Sequence, residues 1–317
     1  MKDPESSEMT RPVLSAQKNP PDMLVPLSIA LYATCSSLML VVNKVAVHFL
    51  PAPAVVLLFQ LITTAGTVWF CGRLGVIEHD KLEWQKVKGF GLVSVAFVAA
   101  VFTNMKTLQF ANVETFVIFR SSTPLVISFM DWAFLGRKLP SARSWASLLL
   151  ILCGAVGYVL TDASFEVKGY FWVCIWFLVF TFDQVYIKYA CDTVKMSNWG
   201  RVYYTNLLSC LPVCLLLVCF REYDEVTDWI ATRASGRALS ALALSCLCGI
   251  GMSYTGFFCR TNVSATMFTV VGIICKVATI IINCMIWEKH ASSVGLAFLS
   301  LCLVAGSFYQ QAPMRDT

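Results

Sequence analysis

The sequence predicts an all-α polytopic membrane protein, with ten transmembrane helices arranged as two inverted five-helix repeats. Three observations carry this. Of 317 residues, 57% are hydrophobic and 14% are charged, against roughly 25% charged in a soluble domain. Apolar runs recur along the whole chain with short charged gaps between them. Short residue patterns around those gaps repeat once, half a chain apart.

Residues 1–22 are polar, mixed in charge and lack the apolar stretch of a secretory signal. A disordered cytosolic tail is expected there. Helices are expected near 23–49, 52–73, 85–106, 110–135 and 143–161, which form the first repeat, 23–161. After a linker at 162–168, the second repeat, 169–310, places helices near 169–189, 198–220, 237–258, 262–287 and 291–310. Residues 311–317 are read as a cytosolic tail. Helices three, four and six carry more polar residues than the others.

A faint internal repeat rests on a few short matches. Asn112-Val113 opens the fourth helix and Asn262-Val263 the ninth. Lys138-Leu139-Pro140-Ser141 follows the fourth, and Lys289-His290-Ala291-Ser292 follows the ninth. One further apolar helix succeeds each. Five is odd, so the second copy must run inverted, an arrangement that puts a site near the bilayer midplane between halves. With the N-terminus in the cytosol, fifteen of the 24 Lys and Arg fall in cytosolic segments, Lys188, Arg201 and Arg260 among them, and six on the opposite face. Positive charge stays inside, so both termini are expected in the cytosol.

Several function classes are excluded. A net charge of +5, spread over many loops, gives no nucleic-acid surface. The 14 cysteines contain no CxxC pair and most lie in apolar runs, as buried small hydrophobes do. The three histidines are far apart, so neither a metal nor a cofactor is expected. No enzyme signature is present. Gly154 and Gly157 in helix five, with Gly295 and Ala297 in helix ten, offer small-residue faces. Intramolecular packing and a homodimer contact both stay open for them.

Charges inside the spans carry the functional reading. Lys276 sits in the middle of a 21-residue apolar run, 267–287, roughly 15 Å from either end at ~1.5 Å per residue. A lysine there costs at least ~2.5–3.5 kcal/mol and marks a pathway or a partner. Arg120 opens the polar run Arg120-Ser121-Ser122-Thr123-Pro124 in the corresponding helix of the first half. Pro124 frees the Arg120 carbonyl, and Ser121 and Thr123 are candidates to line a polar cavity. Two cations meeting at the midplane suit an anionic ligand, bidentate on the guanidinium and point-like on the ammonium. Asn43 and Lys44 add a polar pair in helix one. Tyr203-Tyr204-Thr205-Asn206 begins helix seven. Tyrosine stacks on a base and asparagine reads a base edge, and an aromatic interfacial belt fits the tyrosines equally well. Asp131 and Asp183 stay ambiguous, with a helix-end or packing role preferred for Asp183.

These residues resemble a nucleotide-sugar transporter of the drug/metabolite transporter superfamily, in the GDP-sugar branch. The likeness runs from about 24 to 311. It is densest in Phe110-Ala111-Asn112-Val113-Glu114-Thr115-Phe116, in Val185-Tyr186-Ile187-Lys188, in Ser264-Ala265-Thr266-Met267-Phe268 and in Ile286-Trp287-Glu288-Lys289-His290. Plant and algal Golgi GDP-fucose and GDP-mannose transporters are the nearest type. The resemblance implies a ten-helix antiporter with a nucleotide sugar and a nucleoside monophosphate as partners, in the Golgi membrane. The family's guanine-reading motif, Phe/Leu-Tyr-Asn-Asn, falls on Tyr203, Tyr204, Thr205 and Asn206. Its Gly-x-x-Asn-Lys motif falls on Gly272, Cys275 and Lys276. Thr205 and Cys275 stand where the family has asparagines, so another nucleotide or a changed sugar stays open. A UDP-sugar or other organic-phosphate exchanger of the same fold, and a transport-inactive receptor or scaffold, are the alternatives.

Overall fold

A computed structural model describes residues 23–50, 52–78, 80–110, 113–160, 167–224, 227, 235–286 and 293–315. Among these the chain forms ten helices: α1 (Leu24–Phe49), α2 (Pro53–Arg73), α3 (Trp84–Phe110), α4 (Val113–Phe134), α5 (Ala142–Leu160), α6 (Val167–Thr193), α7 (Asn198–Cys219), α8 (Gly236–Asn262), α9 (Ala265–Ile286) and α10 (Ser293–Ser307). The expected tail at 1–22, most of the linker and the Lys289-His290-Ala291-Ser292 motif lie outside the described residues. Six stretches are long and apolar enough to cross a membrane: Leu24–Phe49, Pro53–Arg73, Trp84–Asn104, Phe171–Thr193, Asn198–Cys219 and Gly236–Asn262. The protein is an all-helical, multi-span membrane protein.

The helix ends follow from local sequence. Serine hydroxyls accept the first orphan amides of four helices: Ser141 from Ser144, Ser197 from Gly200, Ser235 from Ala238 and Ser264 from Met267. Pro53 occupies the first turn of α2, where its missing amide is harmless. The other end of α2 closes in a Schellman turn. Gly75 takes a φ of 71°, its amide reaches the Gly72 carbonyl at 3.2 Å, and the Val76 amide reaches Cys71 at 3.0 Å.

The four strongest packing pairs join the two halves of the chain, α1 with α8, α3 with α6, α2 with α7 and α5 with α10, while α4 packs on both α5 and α9. Gly154 and Gly157 serve the α5–α10 pair. A Cβ on Gly154 would stand 2.6 Å from Cys302 Sγ, and one on Gly157 would meet the Phe298 ring. The small-residue face of α5 is therefore used within the molecule.

Two helices run four residues past their expected ends at 189 and 258, to Thr193 and Asn262. The cause is mutual satisfaction of polar groups expected at the helix edges or beyond them. Lys188 is 1% exposed. Its Nζ pairs with Asp192 at 3.0 Å and donates to the Arg260 carbonyl at 2.8 Å. A cation at the end of a helix also suits the negative pole of its dipole. Lys188 and Arg260 are thus helical residues, not parts of an exposed segment. Arg201 is likewise buried, donating to Asn198 Oδ1 and to the Cys191 carbonyl.

One face of the bundle gathers the α2–α3, α4–α5, α6–α7 and α8–α9 corners with the C-terminal segment, and is called the C-terminal face below. There Arg137 donates to the Ala312 carbonyl, the Lys138 amide to Pro313 and the Arg315 amide to Gly136, while Gln311 accepts from the Ser264 amide. Residues 309–315 so strap the α4–α5 corner to the α8–α9 corner. On the same face Asp80 accepts from Lys86 Nζ at 3.0 Å and from the Ser197 amide and hydroxyl at 3.0 and 2.9 Å. Burial pushes the Asp80 carboxyl up, but these bonds outweigh it and hold the group below its ordinary value.

Two predictions follow from packing and from this latch. Gly154→Ala overpacks α5 against α10 and should destabilise by about 1–3 kcal/mol, read as a lower melting temperature in detergent. A depressed carboxyl stabilises the fold above its unfolded pKa of ~3.9, and that stability is lost as pH falls through the folded value. Melting temperature should therefore fall on acidification below about pH 4, and Asp80→Asn should melt lower at neutral pH and lose this part of the pH dependence.

Candidate functional site

Helices α1, α2, α3, α6, α7, α8 and α9 enclose a cavity of about 220 Å³. Much of its wall is apolar, with Met39, Phe97, Ile187, Phe257 and Phe268. Its polar side chains are Tyr32 from α1, Gln60 and Thr64 from α2, Thr205 and Asn206 from α7, and Ser253 and Arg260 from α8.

The polar groups fall at successive depths. Deepest is Gln60, facing Gly249, where a Cβ would stand 3.3 Å from the Gln60 side chain, so the glycine lets α2 and α8 close together. Gln60 Nε2 donates to Asn43 Oδ1 at 2.8 Å, which ties α1 to α2 at the cavity margin. One turn nearer the C-terminal face lie Thr64, Thr205, Asn206 and Ser253. Asn206 Nδ2 donates to the Val202 carbonyl at 2.7 Å and approaches Ser253 Oγ at 3.5 Å. Thr64 and Thr205 are 1% and 8% exposed, and the hydroxyl of each has no hydrogen-bond partner among the described residues. A buried hydroxyl left so costs about 1–3 kcal/mol, and such groups call for an explanation. A polar ligand in the cavity supplies one.

Arg260 lies nearest the C-terminal face. Among the described residues it is the only charged side chain lining the cavity. Its guanidinium sits 3.8 Å from the Phe268 ring centroid. Nη1 donates to Gln184 Oε1 at 3.1 Å, and Gln184 Nε2 donates to the buried Asp183 Oδ2 at 2.8 Å.

The other residues singled out by sequence are distributed around this cavity. Gly272 and Cys275 on α9 stand behind Tyr32: a Cβ on Gly272 would be 3.6 Å from the Tyr32 hydroxyl, and Cys275 is buried in a cluster with Tyr32 and Phe268. The side chains of Lys276 and Lys44 lie outside what is described. Arg120 packs over Phe180 of α6, 5.1 Å from the ring centroid. Ser121 and Thr123 are buried, and Thr123 Oγ1 donates at 2.7 Å to the Arg120 carbonyl that Pro124 leaves without an amide. Asp131 accepts from the Thr266 amide and hydroxyl at 3.0 and 2.7 Å and so caps the start of α9. Tyr204 is fully buried; its hydroxyl donates to the Lys81 carbonyl at 2.6 Å and accepts from the Glu83 amide at 2.7 Å. Tyr203 packs edge-on against Tyr204. Neither tyrosine is among the described residues lining the cavity.

Sequence reasoning missed Tyr32, Gln60, Thr64, Ser253 and Arg260. Gln60 and Thr64 had a legible signal, two polar residues one turn apart in an apolar helix. Arg260 did not, because its charge read as a loop.

Comparison with known proteins gives a consistent picture. The model of the Triose-phosphate Transporter family matches residues 23–310. GDP-fucose transporter 1 of Arabidopsis thaliana is 39% identical over 289 residues, covering 90% of this chain and 85% of that protein. GDP-mannose transporter GONST3 of the same plant is 35% identical over 291 residues, covering 90% and 77%. Both are named transporters, not enzymes. A solved crystal structure shares the fold with a TM-score of 0.66 at 14% identity, covering 90% of this chain and 96% of its own.

The placement of Tyr204 yields a prediction. Tyr204→Phe leaves the Glu83 amide without its acceptor and should lower stability by about 1–3 kcal/mol, measured as melting temperature in detergent.

Proposed function

The chain belongs to the triose-phosphate transporter family, and from that premise we propose that it is an antiporter that exchanges a GDP-sugar of the GDP-fucose or GDP-mannose type for GMP across the Golgi membrane by alternating access. The observation that carries this reading is a cavity, enclosed by helices from both halves, in which a cation and two unpartnered hydroxyls face the same space. The names of relatives at 39% and 35% identity supply the substrate class.

The packing pairs support two inverted five-helix halves, 23–161 and 169–310. Exchanging each helix for the one five places along turns α1–α8 into α6–α3, and α3–α7 into α8–α2, while α2–α7, α4–α9 and α5–α10 map onto themselves. The excess of Lys and Arg in alternate segments supports both termini in the cytosol.

Asn206 and Thr205 would meet the base. Gly272 and Cys275 would back the wall behind Tyr32, with Lys276 and Arg120 as the cations that hold the diphosphate. At about 220 Å³ the cavity is smaller than the roughly 300–1,000 Å³ common for ligand pockets. A whole nucleotide sugar enters only if helices part, as alternating access requires. Thr205 and Cys275 each replace an amide, whose donor and acceptor sit on separate atoms, by a single hydroxyl or thiol that cannot span two adjacent groups of guanine. That observation favours a second reading, a UDP-sugar exchanger of the same fold.

Reconstituted vesicles loaded with GMP should take up GDP-fucose or GDP-mannose, and UDP-sugars should compete weakly. Uptake driven by UMP instead would select the second reading. Lys276→Ala should abolish uptake, and undiminished uptake would remove that lysine from the site.

A further inference from the structure

We propose that Arg260 is a phosphate-binding residue of the cavity, and that it orients an anionic substrate with its phosphates toward the C-terminal face. This rests on the exchanger reading and departs from it on one point: the phosphate end lies at Arg260, near the end of α8, rather than at Lys276 and Arg120 in the middle of α9 and α4. Among the described residues Arg260 is the sole charge on the cavity wall. Its neighbour in space, Lys188, is not a competitor: that ammonium is 1% exposed and committed to Asp192 and to the Arg260 carbonyl. Lys188 instead fixes the backbone from which the guanidinium projects.

The arginine is held but not satisfied by a full charge. Its side chain is half-buried, stacked on Phe268 and bonded through one amino group to an uncharged amide, Gln184. The carboxylate behind that amide, Asp183, reaches the guanidinium through Gln184, which donates to Asp183 and accepts from Arg260. A guanidinium carries five N–H donors in a planar fork. A phosphate offers a charged, bidentate acceptor for them, stronger than the neutral amide it would join or displace.

Depth sets the orientation. Seven residues of α8 separate Ser253 from Arg260, roughly 10 Å at ~1.5 Å per residue. Ser253 is level with Asn206, and the orphan hydroxyls of Thr64 and Thr205 lie in the same layer. A nucleoside phosphate presents its neutral, hydrogen-bonding end and its charge at opposite ends of one molecule. The neutral end matches the layer of hydroxyls and amides, and the phosphate matches Arg260. A second variant of the same position separates charge from packing, because lysine keeps the cation and loses the fork.

The test uses the full-length protein in lipid nanodiscs, with affinities for guanosine, GMP and GDP-mannose compared among wild type, R260Q and R260K. R260Q should weaken GMP and GDP-mannose by roughly 10-fold or more, as loss of a charged hydrogen bond does, and leave guanosine within about twofold. R260K should recover most of the lost affinity. Loss of affinity for guanosine and GMP in equal measure, or a lower melting temperature with all three affinities unchanged, overturns the assignment and makes Arg260 a packing residue. If wild type binds glucose 1-phosphate but no nucleotide, the nucleotide reading falls. The same variant pair, measured with glucose 1-phosphate, then supports or overturns the role of the arginine. Wild type that binds no phosphate compound overturns both.

Discussion

Hydrocarbon offers no partner for a hydrogen bond, and the rest of this structure depends on that constraint. Backbone groups within the bilayer must pair inside their own helix, so the described chain is helix after helix. Side-chain hydroxyls obey the same rule. Ser94 donates to the Phe90 carbonyl, Thr103 to Ala99, Thr181 to Phe177 and Thr255 to Gly251, each one turn back on its own helix. Against that background four buried hydroxyls among the described residues lack a partner, Thr64, Thr107, Thr205 and Ser209, and of these Thr64 and Thr205 line the cavity. Both face the cavity, on the two helices that pack against each other across the halves.

The same constraint explains the corners. Polar groups at helix ends are tied to one another. Asp80 holds the start of α7, and Glu222 accepts the Ala54 amide at the start of α2 on the opposite face. Asp131 caps α9, and residues 309–315 strap neighbouring corners together. The α2–α7 pair is clasped at both ends and the α4–α9 pair at the C-terminal face. The cavity lies between these clasps, where the wall is Tyr32, Phe268 and Arg260 rather than a network of paired charges.

Much of the fold was legible. Among the described residues, apolar length placed the helical segments to within about four residues of their observed ends, because burial in lipid leaves the backbone one economical solution. Part of the cavity wall was legible too: Thr205 and Asn206 stood out as polar residues opening an apolar helix, and they line the cavity. Misreadings share one cause. Arg260 looked like a loop residue, and Lys188 like the cytosolic edge of its helix, because an isolated charge ends an apolar run in sequence. They are 72 residues apart, and only packing of α6 on α8 lets one satisfy the other and both remain helical. Tyr204 beside Asn206 looked like part of the same recognition surface. Residues two apart on a helix point about 200° apart, and its hydroxyl is taken by the α2–α3 corner instead.

The amino-acid sequence by itself determined that this is a helical membrane protein with caps, turns and repeat-length segments in given places, since those properties depend on local propensity and transfer to lipid. Only tertiary structure decided which polar side chains share a space. Gln60 meets Asn43, Asn206 approaches Ser253, and Arg260 lies over Phe268, because helices far apart in the chain cross there, and no local pattern encodes a crossing.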